Sequence, residues 1–309
     1  MIGFEHQALF HRGEDEFLAG TLPFIAGALE AGEPVLVAVA PRRCELLADA
    51  LGAEASEVVF ADMHRLGSNP ARIIPAWRRF LDEHDPDEGP VRGIGEPVWA
   101  GRSAPELDEC ARDERLLNVA FDDGRPWRLM CPYDLAELDA REILAAEASH
   151  PFTACAHGAR ENAGYAPRHD PFAGEVPPPP AATRELRFGA GELGDVRDTV
   201  AEWAAGFPLT PERRSDLVLA VNELAANSVM HAGGAGTLAL WSRNHTLICE
   251  IRDAGQLTVP LAGRVRPDAA QLSGRGLWMA NQVCDLVQIR SSKAAGTTVR
   301  VHMRLQAGG

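Results

Sequence analysis

The sequence predicts an α/β protein of two bodies, a parallel sheet with helices on both faces and a smaller α/β sandwich. Three observations predict it. Apolar runs of strand length alternate with amphipathic helical stretches through residues 1–150, the pattern of a parallel sheet crossed by helices. A stretch with four consecutive prolines, Pro177–Pro180, then interrupts the chain and reads as a semi-rigid spacer. Charge also changes across it: residues 1–182 carry 16 Arg against 32 acidic residues, and residues 183–309 carry 14 Lys and Arg against 12. We therefore divide the chain into residues 1–163, a Pro-rich linker at 164–183, and residues 184–309.

In the first body, Ala8–His11 reads as a short strand. Glu14–Ala31 has helical periodicity through Phe17, Leu18, Leu22, Ile25 and Leu29, closed near Gly32. Val35–Ala40 is a continuous apolar run suited to a buried parallel strand. Helix follows at Pro41–Leu51, strand at Glu57–Ala61, and helix at Ala71–His84 with Trp77 and Phe80. Val91–Ile94, Ala104–Ala120 and Trp127–Cys131 read as strand, helix and strand, and Asp134–Glu147 as a last helix.

In the second body, Arg184–Phe188 reads as a strand and Leu193–Ala205 as a helix. Thr210 is an N-cap and Pro211 a first helical residue, opening a longer helix to His231 that Gly233–Gly234 ends. Strands at Gly236–Ser242 and Thr246–Asp253, a helix at Gly276–Val283, and strands at Asp285–Ser291 and Thr297–Met303 complete an α/β sandwich.

Composition narrows the function. A net charge of −14 argues against a general nucleic-acid or anionic-membrane binder. The longest apolar run, Pro34–Pro41, is too short to span a bilayer. The start MIGFEHQ has no signal-peptide pattern, so a cytoplasmic protein is expected. The six cysteines have no zinc-ligand spacing, which reads as reduced thiols. The single lysine, Lys293, stands in no Gly-rich loop, so a Walker A phosphate site is absent.

The candidate chemistry lies in the second body. Glu223, Asn227 and His231 fall four residues apart and form one helix stripe. A carboxylate and an amide oxygen one turn apart suit a hydrated Mg²⁺, although a solvated helix face has the same pattern. Asp253-Ala254-Gly255 ends a hydrophobic strand. Gly274-Arg275-Gly276-Leu277 leads into a helix whose N-terminus would favour phosphate. Gly296-Thr297-Thr298-Val299 opens the last strand.

In this order, NELAANSVMHAG, DAG, GRGL and GTTVR resemble the Bergerat ATP-binding fold, in the anti-sigma factor and serine-protein kinase branch of the GHKL superfamily. The resemblance covers residues 183–309. It implies Glu223 as general base, Asn227 as Mg²⁺ ligand and Asp253 as adenine reader. Gly255 would line the adenine pocket, Gly274, Arg275, Gly276 and Leu277 would shape the phosphate lid, and Thr297 would bond near the base. His231 belongs to the same nucleotide-facing stripe. ATP and Mg²⁺ are the implied cofactors. The implied partners are a STAS-type anti-anti-sigma protein, phosphorylated on serine or threonine, and a sigma factor; a homodimer also fits such domains.

Two glycines common in this superfamily are replaced by Leu257 and Trp278, in a short lid segment Thr258–Ser273 with Pro260 and Pro267. The alternative is therefore a non-catalytic module with a degenerate ATP site that holds its partner directly. A second alternative is a small-molecule-binding regulator whose ATPase fold serves only for dimerisation. A histidine kinase fits poorly, because the spacer stands where its phosphoacceptor hairpin would be; His157 and His169 lie in irregular sequence.

In the first body, FEHQALFH, LEAGEPVLVAVAP, VRGIGEPVW and LMCPYD resemble the MEDS sensory domain. That resemblance implies a RecA/KaiC-type sheet without the phosphate loop and a small-molecule ligand. It points to His11, Glu96, Cys131 and Tyr133 near strand ends, where ligands of open parallel sheets bind. Against it, Cys131 also reads as a buried small hydrophobe, and His6 and His11 as surface histidines. No local ligand spacing supports a Cys/His/Glu metal site.

Overall fold

Strand and helix alternate along the first unit of the chain, residues 1–169, as the sequence predicts. Its elements are β1 (Phe4–His11), α1 (Gly13–Ala31), β2 (Val35–Val39), α2 (Pro41–Leu51), β3 (Val58–Asp62), the one-turn α3 (Met63–Leu66) and α4 (Ile73–Asp82). They continue with β4 (Val91–Gly95), α5 (Ala104–Ala120), β5 (Trp127–Asp134), α6 (Ala140–Ser149), β6 (Phe152–Cys155) and β7 (Gly158–Glu161). The computed structural model describes residues 3–84, 89–155, 158–167, 170–181, 183–267 and 274–306.

The seven strands form one sheet of order β3-β2-β4-β5-β1-β6-β7. All neighbours run parallel except β7, which is antiparallel to β6. Every residue of β2 is buried, as a strand covered on both faces must be. Side chains alternate between faces along each strand. On one face Leu9, Val37, Ile94 and Met130 pack with Phe17 and Ile25 of α1 and Leu47 of α2. On the other, Trp77 of α4 lies over Gly93 and Gly95 and 5.8 Å from the Trp127 ring. Helices thus cover both faces.

Three local expectations are corrected. The helix predicted from Asp134 begins at Ala140, because Pro132, Tyr133 and Asp134 continue the ladder opposite Leu9, Phe10 and His11. The helix predicted over Ala71–His84 starts as a 3₁₀ turn at Pro70–Arg72. The hairpin of β6 and β7 has no counterpart in the sequence reading; all four residues of β7 are exposed.

The second unit, residues 170–309, contains β8 (Arg184–Gly189), α7 (Leu193–Ala205), α8 (Pro211–His231), β9 (Ala235–Arg243), β10 (Thr246–Asp253), α9 (Arg275–Val283), β11 (Leu286–Ser292) and β12 (Gly296–Arg304). The five strands form an antiparallel sheet of order β11-β12-β10-β9-β8. Thr210 caps α8 as predicted, its side chain accepting from Arg213 N at 3.2 Å. Leu217, Val221 and Leu224 of α8 pack with Leu238, Leu247, Ile251, Val299 and Val301 of the sheet. Within the Pro-rich stretch, Phe172 is buried in this core, its carbonyl accepts from Ser291 N at 3.2 Å, and the Pro177 carbonyl accepts from Arg300 at 2.7 Å. Lys293 lies exposed in the turn between β11 and β12. Among the described residues, no helix is long and apolar enough to cross a membrane.

Candidate functional site

Glu223 and Asn227 are half-buried on α8, where α9 packs against it. The packing depends on Gly276: a Cβ there would lie 2.9 Å from Asn227 Nδ2 and 3.2 Å from Glu223 Cβ. The predicted carboxylate and amide therefore share one place with the start of α9, whose N-cap is Gly274. Leu277 packs against the core and Arg275 is exposed. His231, the last residue of α8, is exposed.

Asp253 ends β10 beside this helix pair. Ser228 Oγ of α8 donates to its Oδ2 at 2.6 Å, and Gly255 N donates to its Oδ1 at 2.9 Å. Both carboxylate oxygens are thereby oriented. Thr297 Oγ1 donates to the Gly255 carbonyl at 2.9 Å and lies 2.7 Å from Ser291 Oγ. Ser291 Oγ also accepts from Leu257 N at 2.8 Å. Gly296 has φ +75° and approaches the Asp253 carbonyl so closely that a Cβ would lie 2.1 Å from it. Only glycine satisfies both conditions.

Of the predicted lid, the described part to Pro267 packs on α9, with Asn281 Nδ2 donating to the Gly263 carbonyl at 3.0 Å; 268–273 lie outside the described residues, as do His157 and His169. Ser228 and Ser291 join this site without having been singled out for it. Ser228 follows Asn227 directly, and its polarity at a core-facing position was the available signal.

The four residues expected at a sensory site of the first unit do not form one cluster. His11 and Glu96 lie on the α1/α2 side at the carboxyl ends of β1 and β4. Arg43 of α2 donates to Glu96 Oε1 and, at 3.0 Å, to Asp134 Oδ2. Glu96 Oε2 also accepts from Ala40 N at 3.0 Å. His11 Nδ1 lies 3.2 Å from the Gly13 carbonyl and 3.7 Å from Asp134 Oδ2. Burial raises the Glu96 carboxyl to about 7, against the opposing pull of Arg43. Burial, and then Arg43, lowers His11.

Cys131 and Tyr133 point to the opposite face, into a buried group with His6 of β1, Glu114 of α5 and His150 after α6. The surface reading of His6 and His11 is thus corrected: they are 0% and 1% exposed. Cys131 is buried as expected. Its Sγ lies 3.5 Å from His6 Nε2. Glu114 Oε2 lies 3.3 Å from His6 Nε2 and 2.9 Å from His150 Nε2. Tyr133 meets the His150 ring edge-on at 5.5 Å between centroids. Burial, and then His150, lowers His6 to about 4. Burial would raise Glu114, but the two imidazoles outweigh it and hold the carboxyl well below its usual range. Burial raises the Cys131 thiol and the Tyr133 phenol.

Comparison with known proteins follows the same division. Residues 5–151 match the family described as MEDS, MEthanogen/methylotroph, DcmR Sensory domain. Residues 188–303 match the histidine kinase-like ATPase domain. The chain is 29% identical over 128 residues to the anti-sigma F factor of Clostridium acetobutylicum, covering 37% of this chain and 88% of that protein. A solved structure of the RsbU and RsbW domains of Rv1364c from Mycobacterium tuberculosis aligns with a TM-score of 0.31 and 20% identity, over 41% of this chain and 34% of that one. The chain carries a MEDS domain at its N-terminus and a histidine kinase-like ATPase domain at its C-terminus.

Proposed function

We propose that the protein is an anti-sigma-type regulator whose ATPase domain binds Mg·ATP and phosphorylates a serine or threonine of a STAS-type anti-anti-sigma partner. The observation that carries this reading is the joint placement of Glu223 and Asn227 against the start of α9, beside an Asp253 oriented by Ser228 and Gly255. The similarity to an anti-sigma F factor supports the regulatory role.

The donor set fits the nucleotide and its metal. Asn227 would offer an amide oxygen to Mg²⁺, and Asp253 a carboxylate oriented by Ser228 and Gly255 to an adenine amino group. Bound ATP supplies the phosphoryl group. Glu223 accepts the proton of the attacking hydroxyl, which this chemistry requires of a positioned base. Thr297 holds the Gly255 carbonyl and so fixes the backbone next to Asp253. The MEDS domain, in this reading, binds a small molecule and controls the ATPase domain from within a cytoplasmic protein.

Calorimetric titration with ADP and a non-hydrolysable ATP analogue, with and without Mg²⁺, tests the binding step. Mg²⁺-dependent binding weakened by Asn227→Ala is expected. Glu223→Ala should abolish partner phosphorylation while leaving nucleotide binding; phosphorylation that survives it would remove Glu223 as the base. One observation favours the non-catalytic alternative: Leu257 is packed against the core where related domains commonly have a glycine. Absence of binding at millimolar nucleotide would select that alternative.

A further inference from the structure

Four buried side chains of the first unit converge on one point from four separate elements. His6 comes from β1, Glu114 from α5, Cys131 from β5 and His150 from the end of α6. One ligand-type atom of each lies within 4.8 Å of all the others. We propose that His6, Glu114, Cys131 and His150 form a tetrahedral binding site for a single zinc ion.

The spacing fits that ion. Zinc bonds nitrogen and oxygen at about 2.0–2.2 Å and thiolate sulfur at about 2.3 Å, so tetrahedral ligand atoms stand roughly 3.3–3.6 Å apart. His6 Nε2 lies 3.5 Å from Cys131 Sγ and 3.3 Å from Glu114 Oε2. His150 Nε2 lies 2.9 Å from Glu114 Oε2, and Cys131 Sγ 4.0 Å from Glu114 Oε1. Two nitrogens, a carboxylate and a thiolate are a donor set for a borderline-soft divalent cation, not for Mg²⁺ or Ca²⁺.

The outer hydrogen bonds point the same way. His150 Nδ1 donates to the Ala146 carbonyl at 2.7 Å. His6 Nδ1 donates to Asn118 Oδ1 at 3.2 Å, and Asn118 is itself fixed by donating to the Ser149 carbonyl at 2.8 Å. With Nδ1 engaged outward in both rings, each Nε2 is the atom turned to the centre. Metal-binding histidines are oriented in this way by their outer partners.

Two imidazole nitrogens and a carboxylate in a dry pocket are held together by a proton shared among them or by a cation in its place. Although 2.9 Å apart, Glu114 Oε2 and His150 Nε2 are not aligned for a hydrogen bond with each other. Zinc would satisfy both atoms and displace the Cys131 proton to solvent. It would also fasten the sheet to α5 and α6. Because the site is sealed from solvent, the ion would enter as the domain folds.

The test uses the full chain, unfolded with a chelator and refolded with Zn²⁺ or Co²⁺. One zinc per chain is expected by elemental analysis after desalting. The Co²⁺ form should show tetrahedral ligand-field bands and a thiolate-to-cobalt charge-transfer band. Cys131→Ser should remove that band, and Cys155→Ser, at an exposed cysteine, should retain it. His150→Gln should reduce zinc retention at least tenfold. Folded wild-type protein that retains no stoichiometric zinc and shows no thiolate–cobalt band would overturn the proposal. So would a band that survives Cys131→Ser. The wild-type spectrum decides the matter even if a variant fails to fold.

Discussion

At the scale of single residues, Ser228 ties the long helix to Asp253. A hydrogen bond from a hydroxyl to a carboxylate contributes about 1.5–3 kcal/mol. Ser228→Ala should therefore weaken adenine-nucleotide binding roughly tenfold by calorimetry, with an unchanged far-UV circular dichroism spectrum. Glu96 makes a pH-dependent prediction. Its folded carboxyl keeps a proton to about pH 7, whereas an unfolded one loses it near pH 4.5, so between those values the folded chain binds more protons and stability falls as pH rises. Glu96→Gln removes this slope. The wild-type advantage over the variant should shrink by about 2 kcal/mol from pH 5 to pH 7.5, read from urea unfolding at each pH. The placement of Glu223 and Asn227 on one face of α8 was legible in the sequence because the helical repeat alone aligns them. The partners of Cys131 were not: residues 6, 114, 131 and 150 are brought together only by strand order and helix packing.

At the scale of elements, α9 can sit against α8 because Gly276 has no side chain. Gly276→Ala would set a methyl group 2.9 Å from Asn227 Nδ2. Overpacking of this kind costs about 1–3 kcal/mol. The urea midpoint of the second unit should fall accordingly, together with nucleotide affinity. Elements with strong patterning were legible: β2 is apolar throughout, and α2, α5 and α7 have the predicted bounds. The hairpin of β6 and β7 carries no such pattern, since an exposed edge strand buries nothing that would mark it. The extension of β5 through Pro132 was hidden for another reason. Pro-Tyr-Asp reads locally as a turn, and the neighbouring β1 overrides that preference.

At the scale of the whole molecule, the proline-rich stretch read as a spacer contains a residue that the second unit needs. Phe172 is buried in that unit's core, and Phe→Ala truncations of this kind cost about 3–5 kcal/mol. Phe172→Ala should raise amide exchange across β8–β12 by mass spectrometry and leave β1–β7 as protected as before. The two-body division was legible because composition, charge and the proline run all change near one place. The inward turn of Phe172 was not, because a single aromatic residue among prolines has no periodicity. The turn between β11 and β12 has a practical consequence. It presents the chain's single lysine, Lys293, in solvent, three residues before the glycine that lies against Asp253. An amine-directed fluorophore, applied at a pH that favours side-chain amines over the N-terminus or after the N-terminus is blocked, becomes a one-position reporter next to the candidate nucleotide site. No cysteine or lysine need be engineered in to place it.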